Sequence, residues 1–542
     1  MTTRILTIGF DACEVTLVQR WAAEGKLPNF AALARDSRTF RLDNPMETLP
    51  GAIWPEINTG RSSGKMGHFY IPSQLHTGEA VLRGTRPSDI DPEFYFWTQA
   101  SRAGKRVAVI DPVQAVPARD INGIQLIEWG LHDRTFEVSS EPPRLLEDIR
   151  STYGDHPIAS CDVHGETVSG YRRLLQGLLH GARTKTRFVS ELIAREAWDL
   201  FSVTYSESHC AGHQFWHFMD PAHPWHDPHA ARELQDALLS VYAAVDDALP
   251  ALLAAAGRDA TVFGIFSHGI DLYYDGPQLL PEVLVRLGLA AGNLGAPGRL
   301  LRRAKTAVTY LPRPIKAVVK RLARSRALAA PVAAAGCLVD PFASPRTRAA
   351  FVNNNRCGGI RLNLRGREPF GSVEPGAEAE AMLELLRREL LALRDPASGV
   401  PIIRHVQTAS EAFGPYHHID LPDLICVFRT DLGMLEHCES PAVGHVYAPV
   451  YHPHAPRSGD HSVNSQLWIS GPGIVGTPEA GCGNVLDIAP TILDALGVAL
   501  PEWLDGRPLP LGEETNAPID VSAGAKPAAM AKAGSATTIP AL

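Results

Sequence analysis

Short apolar runs rich in β-branched residues recur along this chain, and each stops abruptly at a polar residue. Arg4 to Phe10 ends at Asp11, Lys105 to Ile110 at Asp111, Trp198 to Thr204 just before Glu207 and a histidine pair, and Ala260 to Phe266 at Ser267-His268. Helical spacing of apolar residues follows or separates these runs, as in Val15 to Arg35, Arg172 to Glu196 and Pro224 to Ala255. Apolar runs of this length bounded by turn signals read as buried strands. Strands alternating with helices predict an α/β chain with a mainly parallel central sheet covered on both faces. In such sheets ligands gather outside the carboxyl ends of the strands. The polar residues that end the runs are therefore the first candidates for a functional site.

The sharpest of these candidates lies in Thr204 to His217, TYSESHCAGHQFWH. If a helix begins near Ser208, His209 and His213 stand one turn apart on one face. Two imidazoles at that spacing can grip one metal ion, or can be a polar pair bonded to backbone. Asp11 reads either as a hard-oxygen metal ligand or as the N-cap of the helix behind it. Thr48 precedes Leu49-Pro50-Gly51 and a predicted helix. A hydroxyl there would suit a nucleophile carrying an anionic group, because helix N-termini favour anions, and it would equally suit a cap. His268 is a third histidine at a strand end, followed by Gly269, and His461 closes Arg457-Ser-Gly-Asp-His461.

Composition narrows the function classes. The chain has 542 residues, 45% hydrophobic and 20% charged, with a formal charge of −8. It is long enough for a large α/β domain with an insertion. The acidic balance argues against binding to a nucleic-acid polymer. Eight scattered cysteines form no C-x-x-C pair, so neither a disulfide framework nor a thiolate zinc site is expected. No leader is read at the start and no run is read as a membrane span, so a cytoplasmic location is expected. Basic residues cluster over 299–326, either as the solvated face of a surface helix or as a contact for a membrane surface or anionic partner.

Taken in order, these pieces resemble the alkaline phosphatase superfamily, closest to the type I phosphodiesterase/nucleotide pyrophosphatase branch and its phosphohydrolase or phosphomutase relatives. The resemblance runs through IGFDA, TLPG with NTGRSSGKMG, ESHCAGH, FSHG, RSGDH before SGPGI, and DIAPTILDALGVALPEWLDGRPL. IRLNLRGREPFG resembles an accessory-domain strand of those relatives. It implies an alkaline-phosphatase-like three-layer α/β/α fold. The core would fall in 1–275 and 416–512, with an inserted accessory region over 276–415 and a disordered tail over 513–542.

The resemblance also implies one or two divalent metals, zinc by preference, around a threonine nucleophile. One site would use His209, His213 and His461, and the other Asp11, the Thr48 hydroxyl, residue 267 and His268. Two positions depart from the family pattern, which has aspartate where this chain has His209 and Ser267. Ser267 is a poor zinc ligand, so the second site is expected to be weak, rebuilt from Glu207 or Asp271, or empty. The implied activity is hydrolysis of a small phosphorylated substrate through a phospho-enzyme. Phosphodiesterase, pyrophosphatase and phosphomutase activities are the alternatives, with a degenerate member that only binds a phosphorylated ligand as the non-enzymatic one.

Overall fold

The computed structural model describes residues 4–512, apart from 48, 71–75, 78–83, 131–134, 159–166, 275, 292–345, 355 and 448–456. Thr48, the basic segment 299–326 and the tail 513–542 thus lie outside the described residues.

The core sheet uses β1 (Arg4–Phe10), β2 (Arg38–Asp43), β3 (Val107–Ile110), β4 (Gly123–Ile127), β5 (Ser139–Glu141), β6 (Leu200–Tyr205) and β7 (Ala260–Phe266). The strands β8 (Gly269–Leu272), β9 (Ala349–Asn354), β10 (Cys357–Leu362), β11 (Ile403–Thr408), β12 (Leu424–Phe428), β13 (His437–Ser440), β14 (Gly444–Tyr447) and β15 (Gly459–Ser462) lie outside it. Finally β16 (Gln466–Ser470) and β17 (Thr477–Asn484) return to the core. The nine strands stand in the order β17-β2-β16-β7-β1-β6-β3-β4-β5. From β7 to β4 every neighbouring pair is parallel, and β16 enters antiparallel between β2 and β7.

Strand alternation explains the layering. Leu6, Ile8 and Phe10 of β1 pack on one face with Phe30, Phe215 and Tyr242. Ile5 belongs to the opposite face, with Trp54, Val107, Val109 and Ile488. Both faces are covered by helices, so the central strands are apolar on both sides, as parallel strands require. The stretch Ala237–Ala256 is long and apolar enough to cross a membrane, with mean hydropathy 1.5 over its best window. It is core material here: Leu238, Val241, Tyr242, Val245, Leu249 and Leu252 all pack in the first cluster.

A second antiparallel sheet, ordered β11-β12-β10-β9, carries the helix Ala377–Leu391 on one face through Met382, Leu386 and Leu390. Its other face meets Leu49, Ala52 and Phe69. The strand Leu424–Phe428 pairs with β10 and β11, so the accessory unit continues past residue 415 and includes β12. The IRLNLRGREPFG segment is scaffold in this sheet. Arg361 is fully buried, 2.7 Å from Glu368, and donates to the carbonyls of Ile419 and Leu421. Arg367 pairs with Asp423 at 2.7 Å. A buried guanidinium is tolerated when its donors are satisfied in this way.

Candidate metal centre

The centre forms at the carboxyl ends of β6, β1 and β7, adjacent strands in the middle of the sheet. β6 feeds through Ser206 into the helix Glu207–Met219, which places His209 and His213 on one face. β15 supplies His461, paired in a two-stranded ribbon with Ile270 of β8. This ribbon can lie against the helix because of two glycines. A Cβ on Gly212 would sit 2.7 Å from Ile270 Cγ1, and one on Gly459 would sit 2.4 Å from the Gly212 carbonyl oxygen. Both distances are too short for any side chain, so the close approach that delivers His461 depends on glycine at both positions.

Three imidazole nitrogens converge as a result. The Nε2 atoms of His209 and His461 are 3.1 Å apart, and each is 3.2 Å from His213 Nε2. His213 Nδ1 lies 2.6 Å from the Gly459 carbonyl, which can only accept, so Nδ1 carries the proton and Nε2 presents a lone pair. Burial, with Arg457 and neighbouring histidines adding to it, holds His213 well below its ordinary range. His461 is depressed likewise by burial and by His268, His213 and His209. Neutral imidazoles with lone pairs turned to one point are what a cation needs. Nitrogen ligands about 2.0 Å from a tetrahedral ion stand roughly 3.3 Å apart, so the observed triangle fits a divalent metal such as zinc.

Asp11 and His268 flank the triangle. Asp11 is 5% exposed and accepts a 2.7 Å hydrogen bond from Trp54 Nε1, while its backbone carbonyl accepts from Ser208 Oγ. The capping role falls to Glu14, whose carboxylate accepts from Thr16 N, so Asp11 is not the N-cap of the following helix. Trp54 belongs to the helix Ile53–Thr59 and ties the segment after residue 48 to Asp11. His268 packs edge-on to His461 with ring centroids 4.6 Å apart. Its Nδ1 meets Ser267 Oγ at 3.0 Å, while its Nε2 is buried without a hydrogen-bond partner. Ser267 is fully buried, with its hydroxyl also 3.5 Å from the Phe10 carbonyl.

The two substitutes considered for Ser267 are placed elsewhere. Glu207 is fully buried but faces Lys185 at 3.7 Å and His156 at 3.5 Å. Lys185 in turn pairs with Asp111 at 3.0 Å and donates to the Thr204 carbonyl. Burial would raise the Glu207 carboxyl, yet Lys185 and His156 outweigh it and hold it below its usual range. Asp271 is exposed and accepts from Leu272 N. Among the described residues, neither joins the metal-binding group.

Three charged residues near the centre were not singled out from the sequence. Arg457 Nη1 is 3.5 Å from His213 Nε2. Asp460 is 2% exposed, accepts from His461 N, and is raised by burial. Arg356, on the connection between β9 and β10, is 9% exposed. The first two sit inside the RSGDH motif and could have been taken from it. Arg356 carries no local signal.

Buried histidines give a pH signature for the metal-free protein. His268, His68 and His217 are each pushed down to about 4, in every case chiefly by burial. The unfolded chain takes up these protons near 6.5 and the folded chain only near 4. Stability from them is complete above about 6.5 and falls as pH drops toward 4, because the unfolded state then binds more protons. Thermal midpoints of chelator-treated protein should decline steadily across that window, and a flat profile would contradict the burial assigned to these rings.

No protein-family model and no curated protein matches the chain. Solved structures do match it across nearly its whole length. Alkaline phosphatase PafA is 12% identical over 94% of this chain and 98% of its own, with a TM-score of 0.53. Murine ectonucleotide pyrophosphatase/phosphodiesterase 5 is 11% identical over 92% and 96%, with a TM-score of 0.46. Phosphonoacetate hydrolase from Sinorhizobium meliloti gives 11%, 92%, 96% and 0.46. Similarity to PafA at that TM-score, with the parallel core and the inserted second sheet, establishes the architecture: the chain has the alkaline phosphatase fold.

Proposed function

We propose that this chain is a divalent-metal-dependent phosphoester hydrolase, with zinc as the metal and Thr48 as the nucleophile. The observation that carries this reading is the triangle of Nε2 atoms 3.1–3.2 Å apart at the carboxyl ends of the central strands. His209, His213 and His461 would hold one ion. Asp11 and His268 would hold a second or face the substrate directly. A bound divalent ion supplies positive charge to phosphoryl oxygens and lowers the pKa of a hydroxyl or water beside it.

The chain's own residues do the rest. Thr48 Oγ attacks phosphorus in line, forming the Oγ–P bond as the bond to the leaving oxygen breaks. Water then cleaves the phosphothreonine and returns Thr48 to its hydroxyl form. The Gly459 carbonyl fixes the His213 tautomer, and Trp54 orients the Asp11 carboxylate. Neutral Ser267 leaves the Asp11–His268 side one carboxylate short of the family pattern. That favours occupancy of the three-histidine site over the second site.

Purified protein should contain about one zinc per chain and hydrolyse p-nitrophenyl phosphate faster than bis-p-nitrophenyl phosphate. Faster cleavage of the diester would move the assignment to a phosphodiesterase. Zinc-loaded protein inactive on both esters would leave only a phosphate-binding relative of the enzymes.

A further inference from the structure

Among the described residues β15, the strand that carries His461, pairs only with β8. A ribbon of two strands has little stability of its own, so its anchors decide where it stands. One anchor precedes His461. Ser458 N donates to the His213 carbonyl at 2.7 Å, and the Gly459 carbonyl meets His213 Nδ1 at 2.6 Å. The other anchor follows His461 and comes from Glu14, which lies between Asp11 and the helix Val15–Ala23. Ser462 Oγ donates to Glu14 Oε2 at 2.7 Å, and Asn464 Nδ2 donates to Glu14 Oε1 at 2.9 Å.

Capping alone does not account for a glutamate at this position. Thr16 N and Thr16 Oγ both donate to Glu14 Oε1, at 3.1 and 2.7 Å. Shorter side chains, Asn, Asp, Ser and Thr, are the preferred N-caps. The longer glutamate carries its carboxylate past its own helix to β8 and β15. It crosses Gly269, the residue after His268. A Cβ on Gly269 would lie 1.9 Å from Glu14 Oε2 and 2.4 Å from Ser462 Oγ, and Ser462 is the register partner of Gly269. Glycine at 269 therefore makes room for the carboxylate. Glu14 is 3% exposed, and its backbone is held too, with Glu14 N donating to the Tyr242 hydroxyl at 2.8 Å. One buried carboxylate thus ties together the segments that carry Asp11, His268 and His461.

We propose that Glu14 is a positioning residue, holding β15 where His461 meets His209 and His213. This inference rests on the metal-dependent reading and adds a residue to it. Glu14 acts on the ion only through His461. Without its carboxylate, β15 is tied down on the His213 side alone, and the His461 ring loses its fixed place in the nitrogen triangle. The two imidazoles of the helix Glu207–Met219 remain, and two such ligands hold zinc weakly. Glutamine can replace the link. Its carbonyl oxygen accepts from Thr16 and Asn464, and its amide donates to Ser462 Oγ.

The test titrates zinc into metal-free full-length protein against a chromophoric chelator. Glu14→Ala should bind zinc about 10- to 100-fold more weakly than the unaltered chain, the usual cost of removing an outer support of a metal ligand. Glu14→Gln should stay within about threefold, because its bonds can be remade. Asn464→Ala, at an exposed position, cuts the link without touching the cap. It should weaken zinc by about three- to tenfold, and its effect should vanish in the Glu14→Ala background. Thr16→Val is the control. It removes a bond to the same carboxylate on the helix side, so it should lower the thermal midpoint without changing zinc affinity. Zinc affinity within about twofold of the unaltered chain in Glu14→Ala, or a glutamine variant as weak as alanine, would overturn the positioning role and leave the metal site standing. If Glu14→Ala does not fold, Asn464→Ala decides, and affinity within about twofold again overturns it. An unaltered chain that takes up no zinc would overturn the metal-dependent reading and this inference with it.

Discussion

Thr48→Ala is expected to abolish phosphoester turnover while leaving the zinc content unchanged. In the proposed mechanism the Thr48 oxygen supplies the bond that forms as the leaving group departs. Loss of a nucleophile costs about three orders of magnitude or more in kcat. Metal is retained because the three-histidine triangle is assembled by the helix Glu207–Met219 and by β15, neither of which includes residue 48. Thr48→Ser should keep a measurable fraction of activity, since the hydroxyl survives. Rapid-quench detection of a phosphorylated intermediate in the unaltered chain, and its loss in the alanine variant, checks the assignment. Turnover surviving in Thr48→Ala would move the nucleophile elsewhere.

His213→Ala is expected to remove both metal and activity. His213 is fully buried and contributes two edges of the nitrogen triangle, so its loss leaves only His209 and His461. Two imidazoles do not hold a catalytic zinc with useful affinity without a third protein ligand. Activity should fall by at least about 10³-fold, since the ion's charge stabilisation is worth several kcal/mol. The variant also strands the Gly459 carbonyl, now without its donor, at a cost of about 1–3 kcal/mol. A lowered thermal midpoint alone would therefore be uninformative. The decisive readouts are metal stoichiometry and rate at a temperature where the variant is folded.

The site was legible in the sequence where chemistry sits at the end of a strongly patterned element. Asp11 and His268 each follow a strand, His209 and His213 share a helix face, and His461 lies within β15; the fold brings His209, His213 and His461 to one point, with His268 against His461. Glu207 misled because it stands only two residues before His209. Two residues are about 200° around a helix, so it points back toward Lys185 instead of into the centre. Asp271 misled through the strand period: Ile270 of β8 faces inward, so Asp271 faces solvent. The accessory boundary ran past residue 415 because β12 looks like any buried strand, and its pairing with β10 is a long-range choice that local pattern does not encode. Arg356 was invisible for the same reason, since it lies on the connection between β9 and β10, whose pairing local pattern does not encode.

The alkaline phosphatase fold places polar strand ends together. The chemistry depends on which residues stand there. In this chain histidine at position 209 completes a nitrogen triangle, and serine at position 267 leaves the flanking side with Asp11 as its carboxylate and no second one from position 267. From those two residues we propose one well-formed metal position with a weakened neighbour.

X-ray absorption on the purified protein tests that claim most directly. The account predicts about one zinc per chain with a first shell of nitrogen and oxygen only, three imidazoles at about 2.0 Å, and loss of the imidazole signature in His213→Ala. A chain that takes up no metal, or one whose zinc shell contains sulfur or survives His213→Ala unchanged, would contradict it.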